Sequence, residues 1–153
     1  MTTNTNKKIG FSLNNITTEQ FAVIDSSYNE GVNINLKAGF KFGINKEKKI
    51  ISVIFSTSFL QENTPFLVIE VGCHFKIKED AWNQFLDESE TELIVPKGFI
   101  SHLATISVGT TRGVLHSKTE NTPFNKFFLP TINVTDLVKK DVQFNLEMIE
   151  SKK

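Results

Sequence analysis

Val32-Asn33-Ile34-Asn35-Leu36-Lys37-Ala38-Gly39-Phe40-Lys41-Phe42-Gly43-Ile44 alternates without a break: every even position is apolar, and every odd position between them is polar or Gly. Side chains of a strand point to opposite faces in turn, so this pattern specifies one long strand with a buried face and a wet face. At about 3.4 Å per residue it spans roughly 44 Å, about twice the usual strand length. Asn45-Lys46-Glu47-Lys48 reads as a turn. Lys49 to Gln61 alternates again, Ile51, Val53, Phe55 and Phe59 against Ser52, Ser56 and Ser58. Glu62-Asn63-Thr64-Pro65 makes a second turn, and Phe66 to Lys78 places Leu67, Ile69, Val71, Cys73, Phe75 and Ile77 on one face. Thr18 to Tyr28 reads as an earlier strand ended by Asn29-Glu30-Gly31. Four consecutive strands with short turns predict an antiparallel meander.

The period then changes. Trp82, Phe85 and Leu86 fall at helical spacing behind Glu79 and Asp80, two carboxylates suited to a helix N-terminus. Pro96 stands where a helix starts, and Lys97 to about Lys118 reads as the main helix, roughly 33 Å at about 1.5 Å per residue. Ser101, Thr105, Gly109, Gly113 and Ser117 recur every fourth residue on it and line one face. Each interior Gly costs about 1 kcal/mol against Ala, so the stripe calls for a close backbone approach. The approaching backbone is either the chain's own sheet or a helix of a second subunit. Glu120 to Pro130 is a loop carrying Phe124, Phe127 and Phe128; Thr131 to Val138 reads as a short helix or turn, and Val142 to Ile149 alternates weakly. The expected organisation is a tail over residues 1–10, one α+β domain over 11–138, and an extension over 139–153 that is mobile at its end.

Composition bounds the function. The chain has 153 residues, enough for one domain with a real core. Phe occurs 14 times, Trp and Tyr once each, so aromatic area here mostly lacks a polar handle. Seventeen basic residues balance seventeen acidic ones, and no Lys/Arg run exceeds two, which argues against nucleic acid as a partner. Met1 to Lys8 contains no apolar signal region, and no stretch reaches the ~20 apolar residues of a bilayer span. A lone Cys73 excludes an intrachain disulfide framework. The expectation is a cytoplasmic protein without membrane insertion.

A search for catalytic or metal chemistry finds none with proper spacing. His74 falls on the polar side of its strand, and His102 and His116 lie about four turns apart on one helix, too far to share a metal. Cys73 and His74 are strand neighbours pointing to opposite faces, so they form no dyad. Asp87, Glu88, Glu90 and Glu92 cluster in a loop without the apolar surround that would split their pKa values. No phosphate loop, dinucleotide fingerprint, zinc-protease motif or serine elbow occurs. The chain reads as a non-enzyme with no cofactor and no metal.

Leu93-Ile94-Val95-Pro96 before the long helix, Thr110-Thr111-Arg112-Gly113 within it, and Phe128-Leu129-Pro130-Thr131-Ile132-Asn133 followed by Asp136-Leu137 stand in the order and positions of the SecB family's motifs. The strand pattern over roughly residues 16–78 also resembles that family of export chaperones. The chain departs from it in being neutral where export members are markedly acidic, and in a longer connection between Gly113 and Pro130. The resemblance implies an ATP-independent holdase for extended apolar segments of unfolded proteins. Its implied partners are such clients, the export translocase motor, and further copies of the chain in a dimer or tetramer. It places the peptide-binding region at Phe124, Phe127, Phe128, Leu137 and Val138, although these large apolar side chains equally suit a core. It places the oligomer contact at Ser101, Thr105, Gly109, Gly113 and Ser117. A module dedicated to a single client, such as an antitoxin-stabilising chaperone, is the alternative. An enzyme with an unrecognised site stands third.

Overall fold

The computed structural model describes residues 8–147. Along the chain run β1 (Phe11–Val23), β2 (Asn35–Asn45), β3 (Ile50–Gln61), β4 (Thr64–Ile77), α1 (Glu79–Phe85), β5 (Glu92–Val95), α2 (Lys97–Thr119), α3 (Val134–Leu137) and β6 (Val142–Asn145). Short 3-10 turns occupy Asp25–Ser27 and Pro123–Lys126. The large sheet is four-stranded and antiparallel in the order β1-β4-β3-β2, so the architecture is α+β as the alternation predicts.

Two details of the sheet differ from the sequence reading. The meander covers only β2, β3 and β4; β1 joins at the far edge, beside β4. The first strand also begins at Phe11 and ends at Val23, rather than spanning 18–28. The second difference has a physical cause in the register. The β1–β4 register shifts between Leu13 and Asn15 and again between Thr18 and Gln20. Each extra residue flips the parity, so Phe11, Leu13, Ile16, Thr18, Phe21 and Val23 all stand opposite core-facing residues of β4. A period-2 template loses such a strand.

The segment from Ile24 to Ile34 carries the chain from β1 to β2 at the opposite edge. Gln61, 4% exposed, fastens it: its Nε2 donates to the carbonyls of Asn29 (2.8 Å) and Val32 (3.2 Å), and its Oε1 accepts from the Asn29 amide (2.8 Å). Glu62 and Asn63, with φ of 48° and 66°, form the two-residue turn into β4.

α2 packs on the inner face of β3 and β4 and buries Phe99, Ile100, Leu103, Ala104, Val108 and Leu115. Ser107 and Thr111 lie fully buried on that face, their hydroxyls donating to the carbonyls of Leu103 (2.9 Å) and Ser107 (2.7 Å). Small side chains here let helix and sheet approach closely without an unpaired polar group. The other stripe turns away from the sheet. Thr105, Gly109, Gly113 and Ser117 are exposed and Ser101 half-buried, and a methyl group on Gly109 or Gly113 would meet no atom within 4 Å. In the described chain, then, no backbone of its own sheet approaches these glycines.

Past α2, Arg112 holds the returning chain: Nε donates to Leu129 O and Nη2 to Pro130 O, both at 2.9 Å. β6 pairs with β5, and Leu146 is buried in the main core, so residues 142–146 of the expected extension are tied to the folded body. The expected mobile end falls largely on residues 148–153, outside the described residues, as does most of the expected N-terminal tail. Of that tail, Ile9 packs against the main core.

Candidate functional site

The Phe-rich loop folds because Thr122 accepts the Phe124 amide (3.2 Å) ahead of a turn opened by Pro123. This aims Phe124 inward, 6% exposed, against Tyr28 (5.6 Å), Phe66 (6.2 Å) and Phe127 (6.1 Å between ring centroids). Phe127 is half-buried on Tyr28, Phe59 and Phe66. Phe128 points outward, 59% exposed, and stacks on the exposed His116 at 6.3 Å. Leu137 is exposed, whereas Val138 is buried in the main core. The five expected contact residues therefore divide: Phe124 and Val138 fill core, Phe127 straddles the boundary, and Phe128 and Leu137 meet solvent.

A second apolar surface lies where the sequence reading placed core. α2 covers β3 and β4, while β2 is an edge strand. Ala38, Phe40, Phe42 and Ile44 of its inner face reach the main core, but Leu36 and, just before the strand, Ile34 and Val32 stay 36–39% exposed. Leu36 stands opposite Phe59, whose ring lies 6.0 Å from Phe127. An exposed apolar shelf of Val32, Ile34 and Leu36 thus lies next to the buried Phe59, beside a strand edge with no hydrogen-bonded neighbour strand among the described residues. Alternation shows which side chains share a face; it does not show how far a helix extends over that face.

Polar chemistry concentrates on the opposite face. His74 accepts from or donates to Ser52 Oγ through Nδ1 (2.7 Å) and Thr17 Oγ1 through Nε2 (2.8 Å), and Thr17 donates to Glu19 (2.6 Å). With the Thr17 proton committed to Glu19, Nε2–H donates to Thr17 and Nδ1 accepts from Ser52. Gly72 makes room for this chain: a Cβ there would lie 2.7 Å from Thr17 Oγ1 and 3.0 Å from His74 Nε2. The arrangement resembles an activated serine, but Ser52 sits mid-sheet, paired with Gly43 on one side and His74 on the other. Its neighbouring amides are consumed in the two ladders, which leaves no pair of donors to hold an oxyanion. The chain of hydrogen bonds ties β1, β4 and β3 together instead.

In the acidic loop, Asp87 accepts from the amides of Thr91 (2.9 Å) and Glu92 (3.1 Å) and from Ser89 Oγ (2.8 Å). These bonds, led by the Glu92 amide and the Ser89 hydroxyl, hold its carboxyl below the usual carboxylate range. The loop is thus a folded connection into β5. Among the described residues no group of three His, Cys, Asp or Glu side chains is placed to hold a metal. Nor is any helix long and apolar enough to cross a membrane.

No protein-family model matches the chain, and no curated protein matches it. Among solved structures it is similar to the Mycobacterium tuberculosis SecB-like chaperone in complex with a ChAD peptide from the HigA1 antitoxin. That likeness has 9% identity and a TM-score of 0.43, over 80% of this chain and 90% of that one. It is also similar to a Streptococcus agalactiae protein of unknown function at 12% identity and a TM-score of 0.40, over 82% of this chain and 99% of that one.

Proposed function

We propose that this chain is an ATP-independent protein-binding module, a holdase, that captures extended apolar segments of unfolded clients. The observation that carries this reading is the exposed shelf of Val32, Ile34 and Leu36 beside the open edge of β2. An extended segment laid along that edge finds main-chain partners, and its alternate side chains fall on the shelf. Main-chain pairing is blind to sequence, which suits a binder of many clients. Phe128 and Leu137 offer clients further exposed apolar side chains, while Phe124 and Val138 are buried in core. The half-buried Ser101 and the exposed Thr105, Gly109, Gly113 and Ser117 are the proposed contact between copies in a dimer or tetramer.

The test is aggregation of a chemically unfolded, slow-folding protein, followed by light scattering on dilution without nucleotide. The expected result is suppression at modest excess of the chain, lost in Leu36→Asp with Ile34→Asp. Full suppression by that double variant would remove the shelf from the reading. No suppression by the folded native chain would favour the second reading, a module with one dedicated client, identified by a single protein that co-purifies with it stoichiometrically.

A further inference from the structure

Strand pairing gathers lysines that the sequence scatters. Lys48 and Lys49 close the β2–β3 turn, Lys76 and Lys78 lie at the end of β4, and Ile50 stands opposite Lys76 in the ladder. Together they line a cleft of about 750 Å³ with Glu47 and Glu79, which leaves two positive charges in excess. The chain as a whole is neutral, so this is a local separation of charge. Lys49 and Glu79 are 3.8 Å apart. Lys48, Lys76 and Lys78, among the described residues, have no carboxylate partner. The site is partly built: the aliphatic stem of Lys78 packs over Gly10, and Lys49 is held in the left-handed region at φ 55°.

We propose that this cleft binds an acidic, extended peptide segment of a partner protein. Three observations favour a peptide over a nucleic acid or a phosphate. The lining contains no Arg, and its one aromatic ring, Phe11, is committed edge-on to Phe75 (6.0 Å) and Phe99 (5.4 Å), leaving no platform for a base. Glu47 and Glu79 oppose a strand that carries a charge on every nucleotide, whereas a peptide can set neutral residues against them. Ser12 and Asn14 of β1 also line the cleft, and their hydroxyl and amide groups can hydrogen-bond the main chain of a peptide. Lysine ammoniums act as point charges without the bidentate geometry of Arg, so recognition here is by charge density and not by one fixed residue. The cleft lies at the start of β3 and the apolar shelf at its end, about 30 Å away, so this proposal stands independently of the holdase reading.

The experiment is fluorescence anisotropy of a labelled hexaglutamate peptide titrated with the full chain at low salt, repeated across a salt series. Saturable binding that weakens with salt is expected. Lys48→Gln, Lys76→Gln and Lys78→Gln combined should weaken it at least tenfold. A charge-matched control, Lys37→Gln, Lys118→Gln and Lys140→Gln, should change it less than twofold. Circular dichroism confirms that both variants fold, since all six lysines are exposed. Equal losses in the two variants, or no saturable binding, would overturn the proposal. So would tighter binding of pyrophosphate or oligouridylate through the same lysines, which would assign the cleft to phosphate ligands. Light scattering with an apolar client reads the other end of the sheet, so either reading can fail while the other stands.

Discussion

Gln61 shows how one side chain can hold a topology. The crossover from β1 to β2 contributes no ladder of its own, yet the Asn29 amide and the carbonyls of Asn29 and Val32 all find partners in the Gln61 amide. Replacing the buried Gln61 by Leu keeps the volume but removes its bonds to three backbone groups, of which the Asn29 carbonyl keeps the Val32 amide at 3.5 Å. Loss of about 1–3 kcal/mol is expected, measured as a lower urea midpoint at unchanged slope. An unchanged midpoint would mean that water satisfies those groups equally well. Gly72 is constrained differently, since its backbone is ordinary and only space limits it. Gly72→Ala pushes on Thr17 and His74, so it should break the Ser52–His74–Thr17–Glu19 chain. The readout is the tautomer of the His74 ring in nitrogen NMR at fixed pH, where the native preference is expected to disappear in the variant. A ring signal identical to the native one would show that Thr17 moves aside without cost.

At the scale of elements, α2 carries two stripes of small residues with opposite fates. Ser107 and Thr111 are pressed against the sheet, while Gly109 and Gly113 face solvent with no neighbour. Helix propensity alone then predicts that Gly109→Ala stabilises the isolated chain by about 1 kcal/mol, read by thermal or urea unfolding at low concentration. If the stripe forms the contact between copies, the same substitution lowers the association constant in sedimentation experiments; a neutral effect on both would leave the glycines without a physical account. The helix itself, β2, β3 and β4 were legible because a period of 3.6 or 2 dominates each, unbroken in β2 and interrupted elsewhere only by residues such as Thr57 and Ser107. β1 was not, because its two bulges scramble the parity of Leu13, Ile16 and Phe21. Its place beside β4 was not legible either, since strand order is set by the Ile24–Ile34 crossover and by Gln61, and neither leaves a local pattern. β6 carries only four residues and draws its stability from β5 and from Leu146, both remote in sequence or outside the strand. The candidate site was half legible for the same reason: composition marked Phe128 and Leu137 as apolar, but coverage by α2 decides that Leu36 is exposed and Phe124 is not.

For the whole molecule, one helix is laid over the middle of a sheet and leaves apolar inner faces at both edges: Leu13 and Ile16 on β1, Ile34 and Leu36 beside and on β2. Open edges invite pairing with other chains, and bulges are one of the devices that discourage it. β1 has two bulges, whereas β2 pairs with β3 without a register shift from Asn35 to Asn45. The two edges are therefore not equivalent, and an extended apolar segment should add to β2. Hydrogen exchange tests this on the intact chain, with and without an excess of an extended apolar peptide. Increased protection is expected over residues 35–45, where every second amide lacks a ladder partner, and little change over 11–23. Protection confined to 11–23 would assign the client to the other edge. Protection confined to 124–138 would mean that Phe128 and Leu137 bind side chains without strand addition, and that affinity rests on apolar contact alone.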